Sequence, residues 1–186
     1  MGETLRFLGE FSYYAVAVPV YRDSFLFEVR AENISQPLEV SFPGGRIEEY
    51  ETPKDAALRE LREELGITNC KLIRDLEPLI TPFNTVIFPF LVSLEIDELK
   101  INHEEVKETF FAPIDNFGEP YAVGYVDVDL RPREDFPFSL ILYGEDYPWK
   151  KGIYKVLFYK YNNYVIWGLT ARIAQRAYEV LRKSEI

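Results

Sequence analysis

Cysteine, histidine and methionine are almost missing: the chain holds one of each in 186 residues. With Cys70 alone, no disulfide can form within the chain, and we read it as a small packing residue. With His103 as the single histidine, a Ser-His-Asp triad would have to use it, and nothing nearby supports one. Long apolar runs are missing too. No stretch reaches the roughly 18 residues of a membrane span. The N-terminal MGETLRFLGEF lacks the apolar core of a signal peptide. A cytoplasmic protein without membrane contact is the expectation. Positive charge is scarce: 21 Lys and Arg face 31 Asp and Glu, leaving −10. A nucleic-acid partner asks for a basic footprint, so none is expected.

What is present is apolar and aromatic. Hydrophobic residues make up 47% and aromatics 16%, enough for a substantial core in one domain over residues 1–186. Around Gly45 to Ile67 the chain reads as a loop entering an amphipathic helix. Thr52 suits the N-cap, Pro53 the first helical position and Asp55 the third, where a carboxylate offsets unpaired N–H groups. Gly66 ends the helix, because glycine adopts the left-handed conformation cheaply. At 100° per residue, Glu60, Glu63 and Glu64 share one face and Leu58, Leu61 and Leu65 another. The leucines explain packing. The acids repel one another at these spacings, and a hard divalent cation is what needs them.

The stretch Gly45, five residues, Glu51, seven residues, then Arg59-Glu60-Leu61-x-Glu63-Glu64-x-Gly66-Ile67 resembles the Nudix hydrolase box position for position. The resemblance implies a Nudix fold, an α/β/α sandwich around a mixed β-sheet. It implies a Mg²⁺-dependent enzyme, with Mn²⁺ as an alternative ion, that cleaves the diphosphate of a small nucleoside diphosphate derivative by water attack. Carried over by resemblance, Glu60, Glu63 and Glu64 are the metal acids and the Gly45 carbonyl a further ligand. Arg59 orients the glutamates, and Glu51 and Gly66 are structural members of the box. The general base is Glu63 or Glu105, with Glu104 and Glu108 as neighbours able to replace the latter. A non-catalytic nucleotide sensor on the same fold is the reading from another class; the complete set of box acids speaks against it.

The rest of the chain sorts by period and turn residues. Tyr13–Tyr21 and Phe25–Val29 read as adjacent strands, Leu38–Phe42 as a short strand delivering Pro43-Gly44-Gly45. Cys70–Leu76 alternates toward a strand, and Leu79–Pro82 reads as a connection. Thr85–Leu94 is strand-like, with Pro89 suggesting a bulge or an edge. Lys107–Ala112 is a strand. About 118–148 is a long irregular connection with a strand at Ser139–Tyr143, a candidate lid or homodimer contact. Ile153–Tyr159 and Tyr164–Ile166 are strands around Asn162-Asn163, and Gly168 to about Lys183 is a helix.

Outside the box, three segments resemble the coenzyme A pyrophosphatase branch of the family. They are Phe42-Pro43-Gly44-Gly45, the run from Asn102 to Pro113 with Glu105-Val106 and Phe110, and Ile166-Trp167-Gly168 followed by Thr170-Ala171. That branch carries an Arg and a Gly at positions that here hold Ile34 and Leu38, so its signature is broken. Pro82, fifteen positions after Ile67, matches a mark of ADP-ribose pyrophosphatases. CoA or a derivative is therefore the favoured substrate and ADP-ribose the alternative. Gly44, Gly45, Pro82 and Trp167 are the candidate substrate contacts; turn chemistry for Pro82 and core packing for Trp167 are the competing roles.

Overall fold

Strand β1 (Ser12–Tyr21) turns at Arg22-Asp23 into β2 (Ser24–Arg30). The computed structural model describes residues 9–95 and 98–183, the side chain of Lys183 excepted. The two strands pair only near their turn, at Val20↔Phe25 and Tyr21↔Ser24. Beyond it they splay apart. The chain returns through β3 (Val40–Ser41), which pairs with β2, and β4 (Gly44–Arg46), which pairs with β1. The β3 and β4 strands enter this splay, and the cleft beside them is lined by Phe42, Gly44 and Gly45 among others.

On the far side of β1 lies β7 (Thr85–Leu94), parallel to it, while β5 (Cys70–Asp75) and β6 (Leu79–Ile80) run antiparallel along β7. With β8 (Val106–Pro113) on β2, this is one mixed eight-stranded sheet. Alternation decides the layers. Ala15, Ala17, Leu26, Val86, Phe88 and Val92 face helix α1 (Pro53–Leu65) through Ala56, Ala57, Leu61 and Leu65. Val18, Phe25, Phe27, Ile87 and Leu91 face the other way, onto Ala171, Ile173, Ala174, Ala177 and Val180 of helix α2 (Gly168–Lys183). The α/β/α order expected from the sequence is thus produced by strands buried on both faces.

The second core is aromatic. Phe27 stacks on Phe42 at 4.5 Å between ring centres and on Phe110 at 5.5 Å, and Phe117 joins them. Phe27 is fully buried, so Phe27→Ala should destabilise the chain by about 3–5 kcal/mol. Chemical denaturation followed by circular dichroism reads this directly.

Several elements differ from the sequence expectation. The stretch Leu38–Phe42 forms ladder only at Val40–Ser41, because Gln36 and Leu38 take left-handed backbone angles (φ 53° and 63°). Leu79–Ile80, read as connection, pairs with β7 as β6. Pro89 is not at an edge: β7 lies between β1 and β5. Its missing N–H falls where β5 hands over to β6, and its carbonyl there accepts from the Leu76 N–H at 3.0 Å. The nearby register shift is in β5, between Leu72 and Arg74.

The stretch read as irregular contains strand β9 (Ala122–Asp129). It pairs with β10 (Lys151–Tyr161), which continues into β11 (Tyr164–Trp167), as a separate three-stranded sheet. The strand expected at Ser139–Tyr143 is instead a 3-10 turn over Phe138–Leu140, then a turn with Tyr143 left-handed (φ 72°) leading into a second 3-10 turn at Gly144–Asp146. β9 was concealed because apolar side chains on both of its faces, Tyr125 and Val126 among them, stay exposed. No inside–outside alternation marks it.

Candidate metal and active site

Helix α1 begins and ends as its caps dictate. Thr52 Oγ1 accepts from the Asp55 N–H (3.2 Å), Pro53 occupies the first turn, and Gly66 closes the helix at φ 69° with its N–H on the Arg62 carbonyl. Leu61 and Leu65 are fully buried and fix the rotation of the helix. That rotation turns Glu60 and Glu64, one turn apart, toward β4 and the cleft.

Glu64 is nearly buried, and its Oε2 accepts from the Gly44 N–H at 3.0 Å. Glycine is needed twice here. A Cβ on Gly45 would run into the Glu60 carboxylate, and one on Gly44 would lie 2.5 Å from the Ala15 carbonyl oxygen. The strand hairpin and the helix therefore approach more closely than side chains would allow.

Glu105 arrives from the opposite direction. The loop before β8 docks on the end of α1: the Lys100 N–H donates to the Leu65 carbonyl (3.0 Å) and the Asn102 N–H to the Glu64 carbonyl (2.8 Å). These bonds satisfy two of the orphan carbonyls of the helix. Three residues on, one carboxylate oxygen each from Glu60, Glu64 and Glu105 lies within 4.8 Å of the others. An all-oxygen donor set of this kind suits a hard divalent cation.

Arg59 organises the other side of the box. Its Nε and Nη2 grip Glu51 (2.9 and 3.2 Å), while Nη1 reaches Glu60 Oε1 (2.7 Å) and Glu63 Oε2 (3.0 Å). Nη2 also donates to the Arg46 carbonyl at 3.1 Å, tying helix to β4. Glu51 is pulled below the usual carboxylate range, first by its hydrogen bonds from Arg59. The Glu63 carboxylate stands on the exposed side with Arg59 and outside the trio within 4.8 Å. Burial pushes the Glu60 and Glu64 carboxyls up, and repulsion from Glu28 is the largest charge effect on Glu64.

Glu28 escaped the sequence reading. It lies in β2 opposite Ser41 of β3, 1% exposed, inside a run of apolar residues that marks only a strand. Its placement depends on the splay of β1 and β2, which the sequence does not announce. Beside the glycine pair, a cleft of about 460 Å³ is lined by Tyr14, Arg30, Phe42, Thr81, Phe83 and Thr170, among others. Pro82 is exposed at the turn between two of these lining residues. Trp167 stacks on Phe158 (5.9 Å) along a different, shallow groove with Leu38 and Val40. Glu104 and His103 are exposed, and Glu108 lies near the Tyr164 hydroxyl on the opposite side of β8.

A mixed sheet between two helices, with a glycine hairpin against an acidic helix, defines a Nudix-type domain. The family model described as NUDIX domain matches residues 12–128, and the chain belongs to that family. It is 30% identical over 154 residues to the mouse peroxisomal coenzyme A diphosphatase NUDT7, covering 80% of this chain and 60% of that protein. It is 35% identical over 102 residues to Nudix hydrolase 3 of Caenorhabditis elegans, covering 50% of this chain and 42% of that protein. The chain thus spans about half the length of these curated relatives. Among solved structures, a Nudix hydrolase from Nitrosomonas europaea superposes with a TM-score of 0.51 at 18% identity, over 57% of this chain and 60% of that one. This likeness is one of fold. Among the described residues no helix is long and apolar enough to cross a membrane.

Proposed function

We propose that the chain is a divalent-cation-dependent hydrolase of the diphosphate bond in a nucleoside diphosphate derivative. The convergence of Glu60, Glu64 and Glu105 beside the Gly44–Gly45 backbone carries this reading. A diphosphate repels an attacking water and a leaving phosphate gathers charge; one or more Mg²⁺ ions, or Mn²⁺, would neutralise both and lower the pKa of a water. Glu60, Glu64 and Glu105 would hold the ion, with the Gly45 carbonyl as a further oxygen. Arg59 keeps Glu60 and Glu63 in place by charge-assisted bonds. Glu105 is exposed and one of its oxygens accepts from the Asn102 side chain (3.3 Å); a carboxylate oxygen not on the ion would accept a proton from water. Glu63, half-exposed and committed to Arg59, is the other candidate base.

The substrate favoured is CoA or a CoA derivative, with ADP-ribose as the runner-up. The mouse relative named as a coenzyme A diphosphatase supports the first. So does the cleft, where Tyr14 and Phe83 offer aromatic surface and Arg30 a positive charge for a further phosphate. A turnover screen of CoA, ADP-ribose, NADH and dinucleoside polyphosphates, with Mg²⁺ against EDTA, tests this. Mg²⁺-dependent release of a phosphorylated product from CoA is the expected result. Preference for ADP-ribose would replace the substrate, and binding without cleavage of any compound would replace the enzyme by a sensor.

A further inference from the structure

The small sheet is anchored through β10. Helix α2 packs on that strand, and Val156, Leu157 and Tyr159 are buried. β9 has no such cover. None of its residues is buried, and β10 is its only strand neighbour among the described residues. Because β11 reaches β10 only from Phe158 to Tyr161, the stretch from Tyr125↔Lys155 to Asp129↔Lys151 runs out as a two-stranded ribbon. Such a ribbon is marginal in water unless something covers it. Its apolar side chains stand open nonetheless: Tyr125 is 69% exposed and Ile153 73%, with Tyr121, Val126 and Leu130 more than half exposed.

The outer edge is unguarded as well. Alternate N–H and C=O groups of β9 point away from β10, and none bonds elsewhere among the described residues. Sheet edges are usually blunted by lysine, proline, brevity or a bulge. Other outer strands of this chain follow that rule. β5 carries Lys71, Arg74 and a register shift, β3 is two residues long and β11 four. β9, AVGYVDVD, has no lysine or proline and pairs with β10 without a shift.

Charge selects what fits this edge. When a strand pairs antiparallel with a second copy of itself, the residue at the two-fold axis fixes every opposing pair. An axis at Gly124 sets Glu119 against Asp129, one at Asp127 sets that acid against itself, and one at Val128 sets Asp127 against Asp129. An axis at Val126 sets Tyr125 against Asp127. An axis at Tyr125 avoids acid against acid, pairs the two tyrosines across the strands, and brings Glu119 beside the partner's Arg131. Both Glu119 and Arg131 are exposed, and neither has an ion-pair partner within the chain among the described residues.

We propose that β9 is a self-association edge. Two copies of the chain pair antiparallel through it about a two-fold axis at Tyr125, joining their three-stranded sheets into one continuous sheet. The inference is independent of the hydrolase reading.

Sedimentation equilibrium and amide hydrogen exchange on the whole chain test it. Wild type is expected at twice the chain mass at micromolar concentration, dissociating on dilution, with β9 amides exchanging more slowly in the dimer. Tyr125→Lys sets two ammonium groups face to face across the axis and is expected to be monomeric, with an unchanged circular dichroism spectrum. Glu119→Arg meets the partner's Arg131 and should weaken the dimer about tenfold; adding Arg131→Glu should restore it. The proposal is overturned if wild type stays monomeric, which leaves the edge to a different protein. It is equally overturned if Tyr125→Lys dimerises as wild type does, or if the double variant is as weak as Glu119→Arg. Should Tyr125→Lys fail to fold, the exchange of the two exposed charges decides alone.

Discussion

Glu64→Gln is expected to lower turnover by about a hundredfold or more, with the fold intact by circular dichroism. Glu64 is the side chain that sees most of the site: it accepts from Gly44, faces Glu60 and Glu105, and feels Glu28. Glutamine keeps the shape and one acceptor but not the charge that would hold an ion against a diphosphate. Its amide nitrogen would also present donors where the Gly44 N–H already donates. Glu63→Gln makes the comparison informative. It removes the charge that assists the bond from Arg59 on the exposed side, and a fall of about tenfold is expected from loosened positioning. Unchanged turnover in Glu64→Gln would end the assignment of this acid to the metal. Equal losses in both variants would bring Glu63 into the ion's own shell.

The second large effect is on stability. Without an ion, Glu28, Glu60 and Glu64 keep carboxyls raised above the ordinary 4.5, by burial first and, to a lesser degree, by neighbouring carboxylates. A carboxyl raised in the folded chain binds more protons folded than unfolded. Its stabilising contribution is therefore complete below pH 4.5 and is lost as pH rises through neutrality to the folded values. The metal-free chain should lose melting temperature between about pH 5 and pH 9, apart from general charge effects. A divalent cation reverses the trend, because it binds the deprotonated form. At a hundred times its dissociation constant it adds about 2.7 kcal/mol, or roughly 5–10 °C for a domain of this size. Scanning calorimetry with EDTA and with Mg²⁺ at several pH values measures both. A flat pH trend without metal together with no shift on adding it would contradict the acidic-cage account.

The sequence made the box helix legible to the residue. Thr52, Pro53, Asp55 and Gly66 act locally, and the structure starts and stops α1 where they place it. It also revealed that acids gather on one helix face. What it could not show is how the loop from Lys100 to Glu105 folds back, since that depends on hydrogen bonds to carbonyls at the end of α1. Which acid meets which partner is a tertiary matter as well. Helical spacing groups Glu60, Glu63 and Glu64 equally, yet Arg59 reaches both Glu60 and Glu63, while Glu60 and Glu64 alone join Glu105 in the cleft. Glu28 was invisible for a related reason: within a central strand, one acid among apolar neighbours looks like noise until the strands are seen to part. β9 was missed because periodicity reports a buried face, and β9 has none.

The loop that caps α1 also carries Glu105, and the two duties are joined by a spacing of only a few residues. Shortening or lengthening it between Lys100 and Glu105 would uncap the helix and withdraw a carboxylate from the cleft in the same stroke. Grafting experiments that exchange this segment between relatives must therefore conserve its length before its chemistry. An insertion there would register as fraying at Leu65 in amide hydrogen exchange before any change in what the cleft accepts.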